Sequence, residues 1–185
     1  MDERAITLAE QRALSDDDIK RLLPGISIIR YPDLASVSDL QNVADANNRL
    51  VIFYETEDRD TGHWTCVFKQ TPMSGWTFFD PYGLRPDSER SYLTNAEAMR
   101  NGESAALLGP LLGTNGDYDH YDFQSWDGGV ETCGRHCAVR LMNQSTGNAD
   151  YSVLIRHEQV PYIGVGIGSA ADALVTSVTM QMLGH

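Results

Sequence analysis

Basic residues are scarce in this chain: 14 Lys and Arg stand against 26 Asp and Glu, giving a net charge of -12 over 185 residues. That balance argues against a general affinity for nucleic acid, whose phosphates reward Lys and Arg, and leaves room only for a local basic groove. Six of the acids (Asp2, Glu3, Glu10, Asp16, Asp17 and Asp18) fall in the first 18 residues, so part of the excess is local. Cysteine is rare too. Only Cys66, Cys133 and Cys137 occur, and an odd count without a signal peptide fits a reducing compartment. Cys133 and Cys137 are four apart and would share one helix face, which argues against a structural disulfide between them. No run of 18 apolar residues exists, so no membrane span is expected. The tail from Tyr162 to Leu183 comes closest and is interrupted by Ser, Thr, Gly and Asp172. Internal repeats and low-complexity linkers are absent as well. What remains is a chain of ordinary globular composition, long enough for one domain with its own core.

The apolar spacing places the elements. Ser15 is a good helix N-cap, and Asp16, Asp17 and Asp18 complement the dipole of a helix that buries Ile19, Leu22 and Leu23 and stops at Pro24-Gly25. Ile26 to Tyr31 is strand-like, and Ser36 to Ala46 reads as a short helix. Leu50 to Tyr54 is a buried strand, followed by a polar loop from Glu55 to Gly62. His63 to Phe68 and Trp76 to Asp80 form a hairpin around Thr71-Pro72-Met73-Ser74-Gly75. Residues 50–80 thus predict a three-strand meander at the centre of a mostly antiparallel sheet. A weak helix over 94–108, an irregular aromatic loop over 113–130, a helix from Cys133 to Asn143, a short edge strand or helix at Ser152–Arg156 and a helix from Ser169 to Leu183 complete the chain. The class is α+β, a central sheet flanked by helices.

Chemistry gathers at three of these boundaries. Cys133 lies in Thr132-Cys133-Gly134-Arg135-His136-Cys137, between a glycine-rich loop and a predicted helix. Helix N-termini favour thiolates, and a thiolate is the form that attacks carbonyls. Gly134 would let a substrate backbone approach, and nearby N–H groups would bind an oxyanion. His63, at a strand start, is the candidate base. Asp80, ending the next strand of the hairpin, is the carboxylate to hold its other ring nitrogen. Gln124 is a candidate oxyanion donor. Trp64, beside His63, would roof the cleft and favour small substrate residues, glycine above all.

These same blocks, Gly62-His63-Trp64, Phe79-Asp80-Pro81-Tyr82-Gly83, Gln124-Ser125 and the Cys133 hexapeptide, resemble the adenovirus maturation protease family and its Ulp1-like relatives, most of all versions from virophages and large DNA viruses. The order His, Asp, Gln, Cys is that of the clan and differs from papain's. The resemblance, which runs from about Leu14 to about Asn143, implies Cys133 as nucleophile, His63 as general base, Asp80 as its orienter and Gln124 in the oxyanion hole. It also implies cleavage of viral or ubiquitin-like precursors after Gly-Gly or Gly-X-Gly sites. The spacing of nine from Gln124 to Cys133 is longer than the family's, which leaves Ser125 or Trp126 as alternatives near the oxyanion.

Competing readings exist for each residue. Cys66 and Cys137 read as small buried hydrophobes. Cys133, His136 and Cys137 could chelate zinc, but no matching second pair exists, so no metal is expected. His136 is expected to be exposed or to cap a helix. Asp117 to Asp122 lacks the Gly and Glu of a calcium loop. Gly164 to Gly168 is a hinge or a small-residue cleavage site.

The sequence therefore predicts a cysteine protease domain over residues 1–160, with a glycine-rich hinge and C-terminal helix over 161–185 packed on it. It acts through Cys133, His63, Asp80 and Gln124, with Trp64, Gly134 and Trp126 at the substrate and no cofactor. The expected partner is a peptide or protein precursor, a viral capsid protein or a ubiquitin-like protein, in host cytoplasm or virion. A deubiquitinase or deSUMOylase and an inactive binding module of the same fold are the alternatives.

Overall fold

The computed structural model describes residues 2–55 and 62–184, without the side chain of residue 92; the polar loop expected after Glu55 lies outside the described residues. Among them, five strands form one sheet in chain order: β1 (Ser27–Arg30), β2 (Arg49–Glu55), β3 (Gly62–Lys69), β4 (Trp76–Phe79) and β5 (Asp117–Asp119). The meander at the centre is antiparallel, as its hairpin turn and alternation require, with Val51 opposite Cys66 and Cys66 opposite Phe79. Both edges are parallel: β1 runs with β2, and β5 runs with β4. The sheet is therefore mixed. Helices and turns long enough to cross back supply the parallel partners.

Alternation along the strands divides the core in two. Trp64, Cys66, Phe68 and Phe79 pack with α2 (Asp16–Leu22), α5 (Cys133–Met142), α6 (Asn148–Glu158) and α7 (Ala170–Leu183). Leu50, Ile52, Val67 and Phe78 pack with Tyr31, Leu34, Leu40 and α4 (Leu108–Leu112) on the other face. The remaining helices are α1 (Glu3–Glu10) and α3 (Asn95–Asn101).

Several elements differ from the sequence reading. The helix expected over 36–46 is instead a pair of 3-10 turns, Tyr31–Ser36 and Leu40–Asn42. Pro32 presets the first, and Asp39 starts the second by accepting from Gln41 N. The irregular loop over 113–130 contributes β5. The segment around 152–156 is helical, part of α6. α1, not foreseen, is capped by Asp2, whose carboxylate accepts from Arg4 N and Ala5 N. Ser15 caps α2 in a reciprocal capping box with Asp18, as its sequence suggests. α7 packs against α5: Leu174 and Val175 share a core with Cys137 and Leu141, and Arg135 of α5 donates to Thr179 Oγ1 at 2.7 Å.

Candidate active site

β3 and β4 bring the first two groups together. His63 and Asp80 share the strand parity of Val67 and Phe78, so their side chains leave the sheet on one face. His63 Nε2 lies 3.1 Å from Asp80 Oδ1, and Asp80 is fully buried. Asp80 Oδ1 also accepts from Tyr82 N at 2.8 Å, which fixes the carboxylate through the turn that follows the strand. With Nε2–H turned to Asp80, the other ring nitrogen is left for Cys133, which lies close enough to help raise the imidazole's pKa. Burial alone would push the His63 pKa down. The Asp80 charge, the hydrogen bonds to Asp80 and Cys133 and the charge of Glu89 outweigh it and hold the pKa well above 6.5.

Cys133 opens α5 and is 3% exposed. Thr132 stands at the N-cap but makes no side-chain cap, because its hydroxyl donates to Asp172 instead. Arg135 N and His136 N turn back to Thr132 O, so of the first-turn amides of α5 those of Cys133 and Gly134 are the ones suited to an anion. Asp172, in the first turn of α7, is a hub. Its carboxylate accepts from Thr132 Oγ1, from His136 Nε2 at 2.9 Å, from Ser125 N at 2.9 Å and from Ser169 N at 2.8 Å. Burial would raise its pKa; the hydrogen bond and charge of His136, with the bonds from Thr132 and Ser125, pull it down to about 2. His136 is therefore buried, neither exposed nor a cap as expected from sequence, because Asp172 gives its ring a partner inside the protein.

Gln124 is buried, tied by its backbone to Pro81 O. Its amide nitrogen donates to Val130 O at 3.3 Å, and its amide oxygen has no hydrogen-bond partner. It belongs to the loop that carries the site, with its donor engaged inside that loop. Gly134 corrects one expectation. A Cβ there would lie 3.1 Å from Trp64 Cδ1 and 3.2 Å from Leu14 Cβ, so the glycine admits protein rather than substrate backbone. Trp64 is buried, donates Nε1–H to Leu14 O and packs on Phe53; it is a wall, not a free roof. Its edge lines a groove of about 760 Å³ with Leu14, Asp16, Phe53, Gly62 and Glu131. Trp126 is 56% exposed and stacks on Tyr82 at 4.0 Å, and Tyr82 in turn stacks on His63 at 5.2 Å.

Tyr82, Glu89 and Asp172 were not singled out for the site from sequence. Tyr82 reads as part of a turn, and Asp172 as an ordinary residue in a helical tail. Glu89 sits in a loop with no periodicity. Cys66 and Cys137 are buried free thiols, and Cys137 Sγ donates to Trp64 O at 3.3 Å. Burial, reinforced by Cys66, raises the Cys137 pKa well above its ordinary value.

Among the described residues, His63, Asp80 and Glu89 hold candidate ligand atoms within 4.8 Å of one another. We read them as a hydrogen-bonded set, because His63 Nε2 lies 3.1 Å from Asp80 Oδ1, the geometry of a direct hydrogen bond between the two side chains. No helix among the described residues is long and apolar enough to cross a membrane.

No family model matches the chain. A structural comparison finds similarity to the C-terminal Ulp1 protease domain in complex with Smt3, the yeast ortholog of SUMO, with a TM-score of 0.34, 14% identity and coverage of 97% of this chain and 82% of that one. The chain is also 30% identical over 175 residues to the uncharacterized protein V9 of Sputnik virophage, across 92% of this chain and 96% of that protein. With that identity over nearly the full length of both sequences, the chain belongs to the family of virophage protein V9.

Proposed function

We propose that this protein is a cysteine endopeptidase in which Cys133 is the nucleophile, His63 the general acid and base, and Asp80 the group that orients His63. The observation that carries the reading is one imidazole held at 3.1 Å by a buried carboxylate and influenced by the Cys133 thiol at a helix start. The Cys133 sulfur attacks a peptide carbonyl carbon, and the oxyanion forms against the first-turn amides of α5. The His63 imidazolium gives its proton to the departing amine, leaving a thioester. His63 then takes a proton from water, the hydroxide adds to the thioester, and collapse returns the sulfur as leaving group with a carboxylic acid product. Asp80 keeps the imidazole in the tautomer and orientation both steps need.

The substrate is a protein precursor, a viral structural protein cut after a Gly-Gly or Gly-X-Gly sequence, and the relation to a virophage protein supports the viral setting alone. That finer statement rests on the resemblance of the His, Asp and Cys blocks. One observation favours a second reading, an inactive binding module: Cys133 is 3% exposed and the Gln124 amide is engaged with Val130.

Mass mapping of cleavage sites in a peptide library separates the two. Wild-type protein should produce new termini after glycine, and Cys133→Ala should produce none. Ubiquitin and SUMO conjugates run in parallel decide whether folded conjugates are cut. Absence of Cys133-dependent cleavage in every arm, with no labelling of Cys133 by a thiol-directed peptide probe, would leave the binding module.

A further inference from the structure

A second carboxyl faces the imidazole. Glu89, in the 3-10 turn Ser88–Tyr92, places Oε1 3.9 Å from His63 Nε2, and its side chain is only 13% exposed. It also lies against Asp80. Asp80 Oδ2 and Glu89 Oε1 are both buried, and no protein donor reaches either oxygen. The two carboxyls can therefore share a hydrogen bond only while one of them carries a proton.

We propose that Glu89 is a positioning residue for His63, a second carboxylate that holds the imidazolium and extends upward the pH range in which it survives beside the Cys133 sulfur. This rests on the peptidase reading, in which that imidazolium is the acid for the leaving amine. Asp80 alone would orient the ring, and Glu89 adds charge without taking the nitrogen that Cys133 needs. The surroundings fit. His63 faces Asp80 at the end of β4, Glu89, the Cys133 thiol of α5 and the ring of Tyr82. Glu89 faces His63 and Asp80, with Glu103, which follows α3, and Tyr54 of β2 nearby. Burial raises the pKa of Glu89, the His63 charge lowers it and Asp80 raises it again, for a net value of about 7. Near neutrality Glu89 is therefore poised. As pH rises it ionises, and the new charge appears beside the imidazolium just where that proton would otherwise begin to leave.

The test reads the imidazolium without needing catalysis. Cys133 is alkylated across pH with iodoacetate and with iodoacetamide. The anionic reagent gains over the neutral one only while the neighbouring imidazole is charged. In wild-type protein the ratio of the two rates should persist to alkaline pH. In Glu89→Gln it should fall about one pH unit earlier, so that at the wild-type midpoint the variant keeps about a tenth of its low-pH excess where wild type keeps about half. Coincident midpoints in the two proteins overturn the proposal, as does a lowered Tm without a moved midpoint, which is the signature of a merely structural residue. If the variant does not fold, ring-nitrogen NMR of His63 in the wild-type protein decides. A step in its shift near pH 7, ahead of its own titration, is expected, and a single titration refutes the role. Failure of peptide cleavage with these midpoints separated sinks the peptidase reading alone.

Discussion

Asp172→Asn removes one charge and leaves the shape almost intact. In the folded protein the carboxylate accepts four hydrogen bonds from groups on three segments: the loop at Ser125, the start of α5 at Thr132 and His136, and the cap of α7 at Ser169. The fall of its pKa from 3.8 to about 2 means these partners favour the charged form by about 2 kcal/mol at 1.36 kcal/mol per unit. An amide keeps one acceptor oxygen and sets its NH2 either against Ser125 N and Ser169 N at the Oδ2 position or against Thr132 Oγ1 and His136 Nε2 at the Oδ1 position, where both must turn to accept, and the lost or rearranged bonds add a further cost of about 1–3 kcal/mol. Together a loss of about 3–5 kcal/mol is expected at pH 7, a large share of the stability of a domain this size. The sign of the pH dependence follows from the direction of the shift. The folded-state pKa is depressed, so the contribution is complete above about pH 5 and disappears as pH falls through 4 toward 2. Urea unfolding of both proteins at pH 7, 5, 4 and 3 should show unchanged slopes and a gap in midpoint that narrows at the acid end. A gap under about 0.5 kcal/mol at pH 7, or one that stays constant down to pH 3, would show that this hub does not hold the charge inferred for it.

Two further outcomes are expected. Gly134→Ala should destabilise the protein by about 1–3 kcal/mol in thermal or urea unfolding, because its Cβ meets Trp64 and Leu14 at 3.1 and 3.2 Å, and it should slow Cys133-dependent cleavage by shifting the start of α5. Gln124→Ala should cost about 1 kcal/mol through its lost contact with Val130; a drop in kcat of about 10²-fold or more with KM unchanged would mean the amide turns to the oxyanion during reaction, and an unchanged kcat assigns the oxyanion to the α5 amides alone.

Residues that act over a few positions were legible in the sequence. The Ser15 N-cap, the 50–80 meander and the start of α5 follow from local hydrogen bonding and from apolar alternation, whose periods are fixed by backbone geometry. The approach of His63 to Asp80 was legible for the same reason: a hairpin makes the start of one strand a neighbour of the end of the next. The helix expected over 36–46 gives way to turns because Pro32 commits the chain up to Ser36 to a 3-10 turn and Asp39 caps a second one, both favouring tight turns over a continuing α-helix.

What pattern could not supply was contact between distant segments. Asp172 reads as an ordinary residue in a helical tail, and nothing local shows that it also ties Thr132 and His136, 40 and 36 residues away. Gly134 reads as room for a ligand until α2 and β3 are seen to fill that room with Leu14 and Trp64. Glu89 has no signature at all, because its meaning is its distance from His63. The sequence by itself determined which segments could be strands and helices and which side chains were chemically able to form a site, since those depend on neighbours along the chain. Only the tertiary structure decided which charges share a buried space and whose hydrogen bonds are spent elsewhere, because electrostatics and packing act through space whatever the separation in sequence.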